Sequence, residues 1–147
     1  KEYLEAHHIP YHCIRHLPAY TAQETAATMH VSGREFAKTV IVKIDGQMTM
    51  VVLPASTRVD CDSLREFFYA KEVRLANETE FRTHFPDCEP GAMPPFGNLY
   101  DMDVLVAQPL TQDTSIVFNA GSHDEALEIS FKDFDELVHP VIMNLSR

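Results

Sequence analysis

The sequence predicts a mixed α/β fold of the α+β kind: a curved, mixed β-sheet or barrel with helices around it. Three observations carry this. Apolar residues alternate between a period of two and a period near 3.6 along the chain. One pair of adjacent strands is joined by a two-residue turn and must be antiparallel, so a purely parallel doubly wound sheet fits poorly. No Gly/Ser linker, internal repeat or low-complexity tract interrupts residues 1–147, which therefore read as one domain.

The elements follow in order. Residues 1–8 read as the end of a helix, and Tyr11 to His16 as a short extended segment. Thr21 and Glu24 have the capping-box spacing, in which a hydroxyl caps backbone N–H groups and the glutamate reaches back. A helix to about Met29 follows, with Ala22, Ala26 and Met29 on one face. Residues 37–44, AKTVIVKI, are rich in β-branched side chains, and Val40, Val42 and Ile44 alternate onto one side. Asp45-Gly46 supplies a hairpin turn, and residues 48–54 return as the partner strand.

Asp60 or Asp62 caps a helix with Leu64, Phe67 and Phe68 on one face. Glu72 to Ala76 is a short strand. Asn77 and Glu80 open another helix, which stops before Pro86. Residues 86–100 are dense in proline and glycine and read as irregular. Strands near 102–107 and 114–119 follow, a turn spans Gly121 to Asp124, and a third strand covers 126–130. Ser130 caps the last helix, whose apolar stripe is Phe131, Phe134, Leu137 and Val138, and Pro140 follows its end.

Composition limits the function. The chain is 45% hydrophobic and 23% charged, ordinary for a soluble globular domain. It has no signal-peptide pattern and no apolar run near the roughly 20 residues that span a bilayer. Cys13, Cys61 and Cys88 are widely spaced and read as reduced thiols of a cytosolic protein. His7, His8, His12 and His16 lie close together, but no zinc-type spacing occurs, and no metal is expected. The formal charge of −10 argues against wrapping long stretches of nucleic-acid backbone. It leaves room for gripping a nucleic-acid terminus through local cations, for which Lys38, Lys43, Arg34, Arg58 and Arg74 are available.

Three places could carry chemistry. Lys38 opens an apolar strand on the same side as Val40 and Val42. An ammonium directed into a cleft there needs an anionic partner such as a phosphate. On spacing alone, a solvated strand end accounts for Lys38 better. The loop from Gly91 to Gly97 holds Pro94 and Pro95, which restrict φ, between glycines that permit close backbone approach. It could hold a carbonyl or a water in fixed geometry, and it fits a tight structural turn equally well. Asn119, Ala120 and Gly121 end a strand, as a ligand rim or simply as a turn. No GxSxG elbow, P-loop or GxGxxG is present, and Asp101 with Asp103 read as a solvated edge rather than an acid–base pair.

Taken together, these segments resemble the YbaK/ProX family of aminoacyl-tRNA deacylases, which is related to the editing domain of bacterial prolyl-tRNA synthetases. The resemblance runs from Ile9-Pro10-Tyr11 to the final helix. It rests on an ordered series: Tyr20 and Thr21 before an Ala-rich helix, Ala37-Lys38-Thr39 opening a strand, Leu53-Pro54-Ala55, GxxxP as Gly91 to Pro95, Phe96-Gly97, and Asn119-Ala120-Gly121. The resemblance implies a mixed, barrel-like sheet and trans-editing hydrolysis of the ester of a mischarged tRNA. The expected substrate carries a small amino acid, with tRNA-Pro a candidate carrier. It implies that Lys38 anchors the terminal adenosine and aminoacyl end, and that the backbone at Gly91 and Pro95 positions ester and water. Tyr20, Thr21, Thr39, Phe96, Gly97, Asn119, Gly121 and His123 are then expected to border the substrate.

No cofactor is implied. The expected partners are the tRNA acceptor end and, as a candidate, an aminoacyl-tRNA synthetase, in the cytoplasm and away from membranes. His16, His123 and Ala126 depart from residues that some family members carry. This leaves open whether cysteinyl, alanyl, seryl or threonyl esters are preferred. The −10 charge keeps a second reading in view, a non-catalytic module binding a nucleotide, an aminoacyl group or a protein on the same fold.

Overall fold

The computed structural model describes residues 2–15, 36–86, 88, 93–112, 115–119, 121 and 125–146. The helix expected from Thr21 to Met29 lies outside them, as do Tyr20, Thr21, Gly91 and His123. The strands in chain order are β1 (His12–Arg15), β2 (Ala37–Ile44), β3 (Gln47–Pro54), β4 (Val73–Leu75), β5 (Val104–Ala107), β6 (Ser115–Asn119), β7 (Glu125–Ser130) and β8 (Val141–Met143). The helices are α1 (Glu2–Ala6), α2 (Cys61–Phe67), α3 (Glu78–Phe81) and α4 (Phe131–Val138).

The hairpin is the backbone of the structure. β2 and β3 pair antiparallel in unbroken register, from Ala37 opposite Pro54 to Ile44 opposite Gln47. Asp45 and Gly46 take φ values of 49° and 87°. Positive φ at both positions is what a type I′ turn requires. The Asp45 carboxylate also accepts backbone N–H bonds from Lys71 and Glu72, at 2.9 and 2.8 Å. These hold the turn against the start of β4.

Around this hairpin a five-stranded sheet forms in the order β4-β2-β3-β5-β8. β4 is antiparallel to β2, whereas β5 and β8 add in parallel fashion. A second sheet of three antiparallel strands has the order β1-β7-β6. The expected curved, mixed sheet or barrel with surrounding helices is thus built, among the described residues, from two sheets. Among the described residues they are linked by a parallel bridge, Phe36 to Val117, just before β2 begins. β8 was not anticipated, because three residues after Pro140 are too few to display a period.

Side chains alternate to the two faces of the five-stranded sheet. Ala37, Ile41, Met50, Val52, Val104 and Val106 face the main core. There they meet Ile116, Phe118, Leu127 and Ile129 of the second sheet, Leu4 of α1 and Phe134 of α4. Val42, Val51, Leu53 and Leu105 face the other way, onto Leu64 of α2. A small third cluster, Phe36, Ala55, Val117 and Ala126, sits at the junction between the sheets.

Capping residues act as the sequence suggests. Asp60 accepts from Ser63 N–H at 3.2 Å. Asn77 and Glu80 form a reciprocal capping box, and Ser130 accepts from Asp133 N–H at 3.1 Å. The expected apolar face of α2 needs correction. Leu64 is buried, but Phe67 is 52% exposed and the following Phe68 is also exposed. A helix of seven residues lays only one such position on the sheet.

Within residues 86–100, the described portion ends in a 3₁₀ turn, Gly97–Leu99. Gly97 has no room for a side chain. A Cβ there would fall 2.5 Å from Val104 Cγ2 and 2.8 Å from the Met102 carbonyl oxygen. Gly97→Ala is therefore expected to destabilise the fold by about 1–3 kcal/mol through overpacking, measured as a lowered denaturation midpoint with unchanged slope.

Candidate functional site

The site is built where the start of β2 meets the end of β6. Phe36 and Val117 form the bridge. Both chains then advance two residues in the same direction, to Lys38 and to Asn119. Because strand side chains repeat every two residues, Lys38 and Asn119 lie on the face that carries Phe36 and Val117. The turn after β3 closes beside them: Ala55 N–H donates to Phe36 C=O at 2.8 Å. Thr57 then folds onto Pro54, its N–H and Oγ1 donating to that carbonyl at 3.0 and 2.9 Å. Arg58 follows on this turn.

Lys38 is half-buried and finds no carboxylate partner among the described residues. Burial holds its ammonium below the usual lysine range, and the nearby Arg58 guanidinium adds to the effect. An ammonium disfavoured by both influences is poised to gain from an arriving anion. Arg58 is the functional candidate that sequence reasoning left among generic cations. The signal available was its position four residues past Pro54, just after a hairpin whose other strand carries Lys38 at its second position.

Two of the other described cations, Lys43 and Arg74, are committed elsewhere. Lys43 pairs with Glu80 at 2.6 Å, and Arg74 makes a two-pronged contact with the same carboxylate at 2.8 and 2.7 Å. These donors, Arg74 first, hold the Glu80 carboxyl well below its usual range. Of the four described cations singled out from the sequence, Lys43 and Arg74 are thus tied to one acid, and Lys38 and Arg58 lie together.

The remaining expected site residues divide between two sides of the strands. Asn119 lies on the strand face that Lys38 shares, is 6% exposed, and its Oδ1 has no hydrogen-bond donor among the described residues. Gly121, two residues on, has φ of 97°, a conformation that suits glycine at this strand end. Thr39 points to the opposite face, shared with Ala37 and Ile41. Pro95, Phe96 and Gly97 are buried, and Phe96 packs against Tyr3, Phe118 and Phe134 in the main core. Phe96 thus belongs to the main core, on the other side of the sheet from Lys38.

A two-sheet fold that sets a half-buried ammonium near a second cation, with no carboxylate partner for it among the described residues, offers a place suited to an anionic ligand. The chain belongs to the aminoacyl-tRNA editing domain family, whose model matches residues 16–137. It is 28% identical over 117 residues to the multifunctional Ser/Thr-tRNA deacylase ProXp-y of Escherichia coli strain K12. That match covers 76% of this chain and 69% of the relative. Among solved structures, hypothetical protein APE2540 superimposes with a TM-score of 0.88 at 26% identity, covering 99% of this chain and 97% of the other. A candidate trans-editing enzyme for prolyl tRNA synthetase superimposes with a TM-score of 0.81, covering 98% and 92% of the two chains. At 17% identity, it shares the fold. No helix among the described residues is long and apolar enough to cross a membrane.

The state of Lys38 has a measurable consequence for stability. Its folded pKa lies below the unfolded value of about 10.4, so the unfolded chain binds more protons between the two values. Stability contributed through this group therefore rises with pH across that window. In denaturant titrations near neutral pH, Lys38→Met is expected to be at least as stable as the parent. The parent should gain on it as the pH approaches 10. A variant markedly less stable at pH 7 would show that the ammonium is already well paired.

Proposed function

We propose that this chain is a single-domain, trans-acting deacylase that hydrolyses the ester of mischarged aminoacyl-tRNA. The observation that carries this reading is Lys38: a half-buried ammonium, without a carboxylate partner among the described residues, in an aminoacyl-tRNA editing domain. In this reading Lys38, with Arg58 beside it, holds the phosphate at the tRNA terminus and so fixes the register of the ester. The reaction is a simple hydrolysis. Water oxygen adds to the ester carbonyl carbon, the bond from that carbon to the ribose oxygen breaks, and the ribose oxygen leaves with a proton.

An aminoacyl ester is already activated, so positioning can supply much of the acceleration without a protein nucleophile. The Gly91–Gly97 loop is assigned the task of orienting ester and water through its backbone. Buried Pro95 and Phe96 anchor the described half of that loop. Among the four candidate esters, the similarity to a Ser/Thr-tRNA deacylase favours seryl and threonyl. The ligand is then the acceptor end of tRNA, with a synthetase as candidate partner and the cytoplasm as the place of action.

The test is deacylation of a panel of mischarged tRNAs. Loss of one charge-assisted contact, about 1.5–3 kcal/mol, predicts that Lys38→Ala lowers kcat/KM by about 10- to 100-fold. Circular dichroism and melting temperature should remain those of a folded protein. If no aminoacyl-tRNA in the panel is cleared faster than in buffer, the deacylase reading fails, and ligand binding without turnover would favour the non-catalytic module.

A further inference from the structure

Asn119 presents an unusual atom. The residue is more than nine-tenths buried, yet its Oδ1 receives no hydrogen bond from any described residue. Buried polar side-chain atoms are nearly always paired, because an unpaired one loses its water without replacement. Across the β6–β7 pair, Asn119 stands opposite Ala126, which is fully buried and offers only a methyl group. Two residues back, Val117 makes the bridge to Phe36, which places Lys38 on the same face as Asn119.

We propose that Asn119 is a specificity-determining residue whose Oδ1 accepts a hydrogen bond from an uncharged hydroxyl of the bound aminoacyl-tRNA end. Charge selects the donor. Lys38 shares the face, and Arg58 lies close enough to oppose the Lys38 charge. A pair of cations disfavours an α-ammonium at this position and leaves a neutral O–H unaffected. The inference rests on the deacylase reading above and adds to it the residue that reads a hydroxyl. Two groups on the substrate carry such a donor: the side chain of a hydroxylated amino acid, and the ribose of the terminal adenosine. A site with a buried acceptor discriminates against analogues that leave it empty.

The experiment measures kcat/KM for the parent, Asn119→Ala and Asn119→Leu. The substrates are tRNAs charged with serine against alanine and threonine against valine, each ending in adenosine or in 2′-deoxyadenosine with a 3′ ester. If the amino acid supplies the hydroxyl, the parent favours each hydroxylated ester by about tenfold or more. Both variants then bring the ratios close to one, the seryl and threonyl rates falling more than the alanyl and valyl rates. If the ribose supplies it, the variants lose activity equally on all four esters, and that loss vanishes on the 2′-deoxy substrates.

Unchanged rates and ratios, or an equal loss that persists on 2′-deoxy substrates, overturn the proposal. Melting provides an independent readout. At least one variant is expected to melt at or above the parent, since an unpaired buried acceptor has been removed. A fall of several degrees in both would assign Asn119 a structural role and overturn the proposal. Failure of the parent on every ester would instead sink the deacylase reading, and this inference with it.

Discussion

The parallel bridge between Phe36 and Val117 is the constraint on which the site depends. It is the described strand-to-strand link between a five-stranded and a three-stranded sheet. Strand geometry does the rest, because residues two positions beyond a bridge share its face. Lys38 and Asn119 are more than 80 positions apart in the chain, yet this register sets them on the same face. The apolar cluster of Phe36, Ala55, Val117 and Ala126 packs the junction on this same face. A polar site beside such a cluster sits in a low-dielectric surround, where an unpaired charge or amide oxygen matters more than it would at the surface.

The electrostatics resolve an apparent conflict. A net charge of −10 opposes general attraction to nucleic acid. The fold answers by distributing its cations unevenly. Glu80 occupies both Lys43 and Arg74, far from the junction, near the Asp45-Gly46 end of the hairpin. Lys38 and Arg58 are left near one another at the opposite end. A ligand presenting one phosphate finds local attraction there, whereas a long polyanion meets an acidic surface. Such a division suits recognition of a nucleic-acid terminus.

Much of the architecture was legible because it rests on local chemistry. The β2–β3 hairpin follows from β-branched alternation on either side of Asp45-Gly46. The helix starts follow from Asp60, Asn77 and Ser130, whose side chains can satisfy free backbone donors wherever they occur. The exposure of Phe67 and Phe68 was not legible, since a periodic stripe does not reveal how much of a short helix its neighbours cover. The division into two sheets was equally hidden, because antiparallel and parallel partners distant in sequence are chosen by core packing rather than by either strand's own pattern.

The site shows the same boundary more sharply. The sequence by itself determined the candidate parts: a lysine at the head of an apolar strand, a Pro/Gly loop, an Asn-Ala-Gly strand end, and the order that resembles a family of deacylases. Those depend on residue type and spacing, which a chain displays directly. Only the tertiary structure decided which of them meet. It put Lys38 and Asn119 on one face, turned Thr39 to the other, and buried Pro95 and Phe96. It also brought Arg58 to Lys38. The physical reason is that burial, charge proximity and an unpaired acceptor are properties of neighbours, and the neighbours here come from segments that only folding brings together.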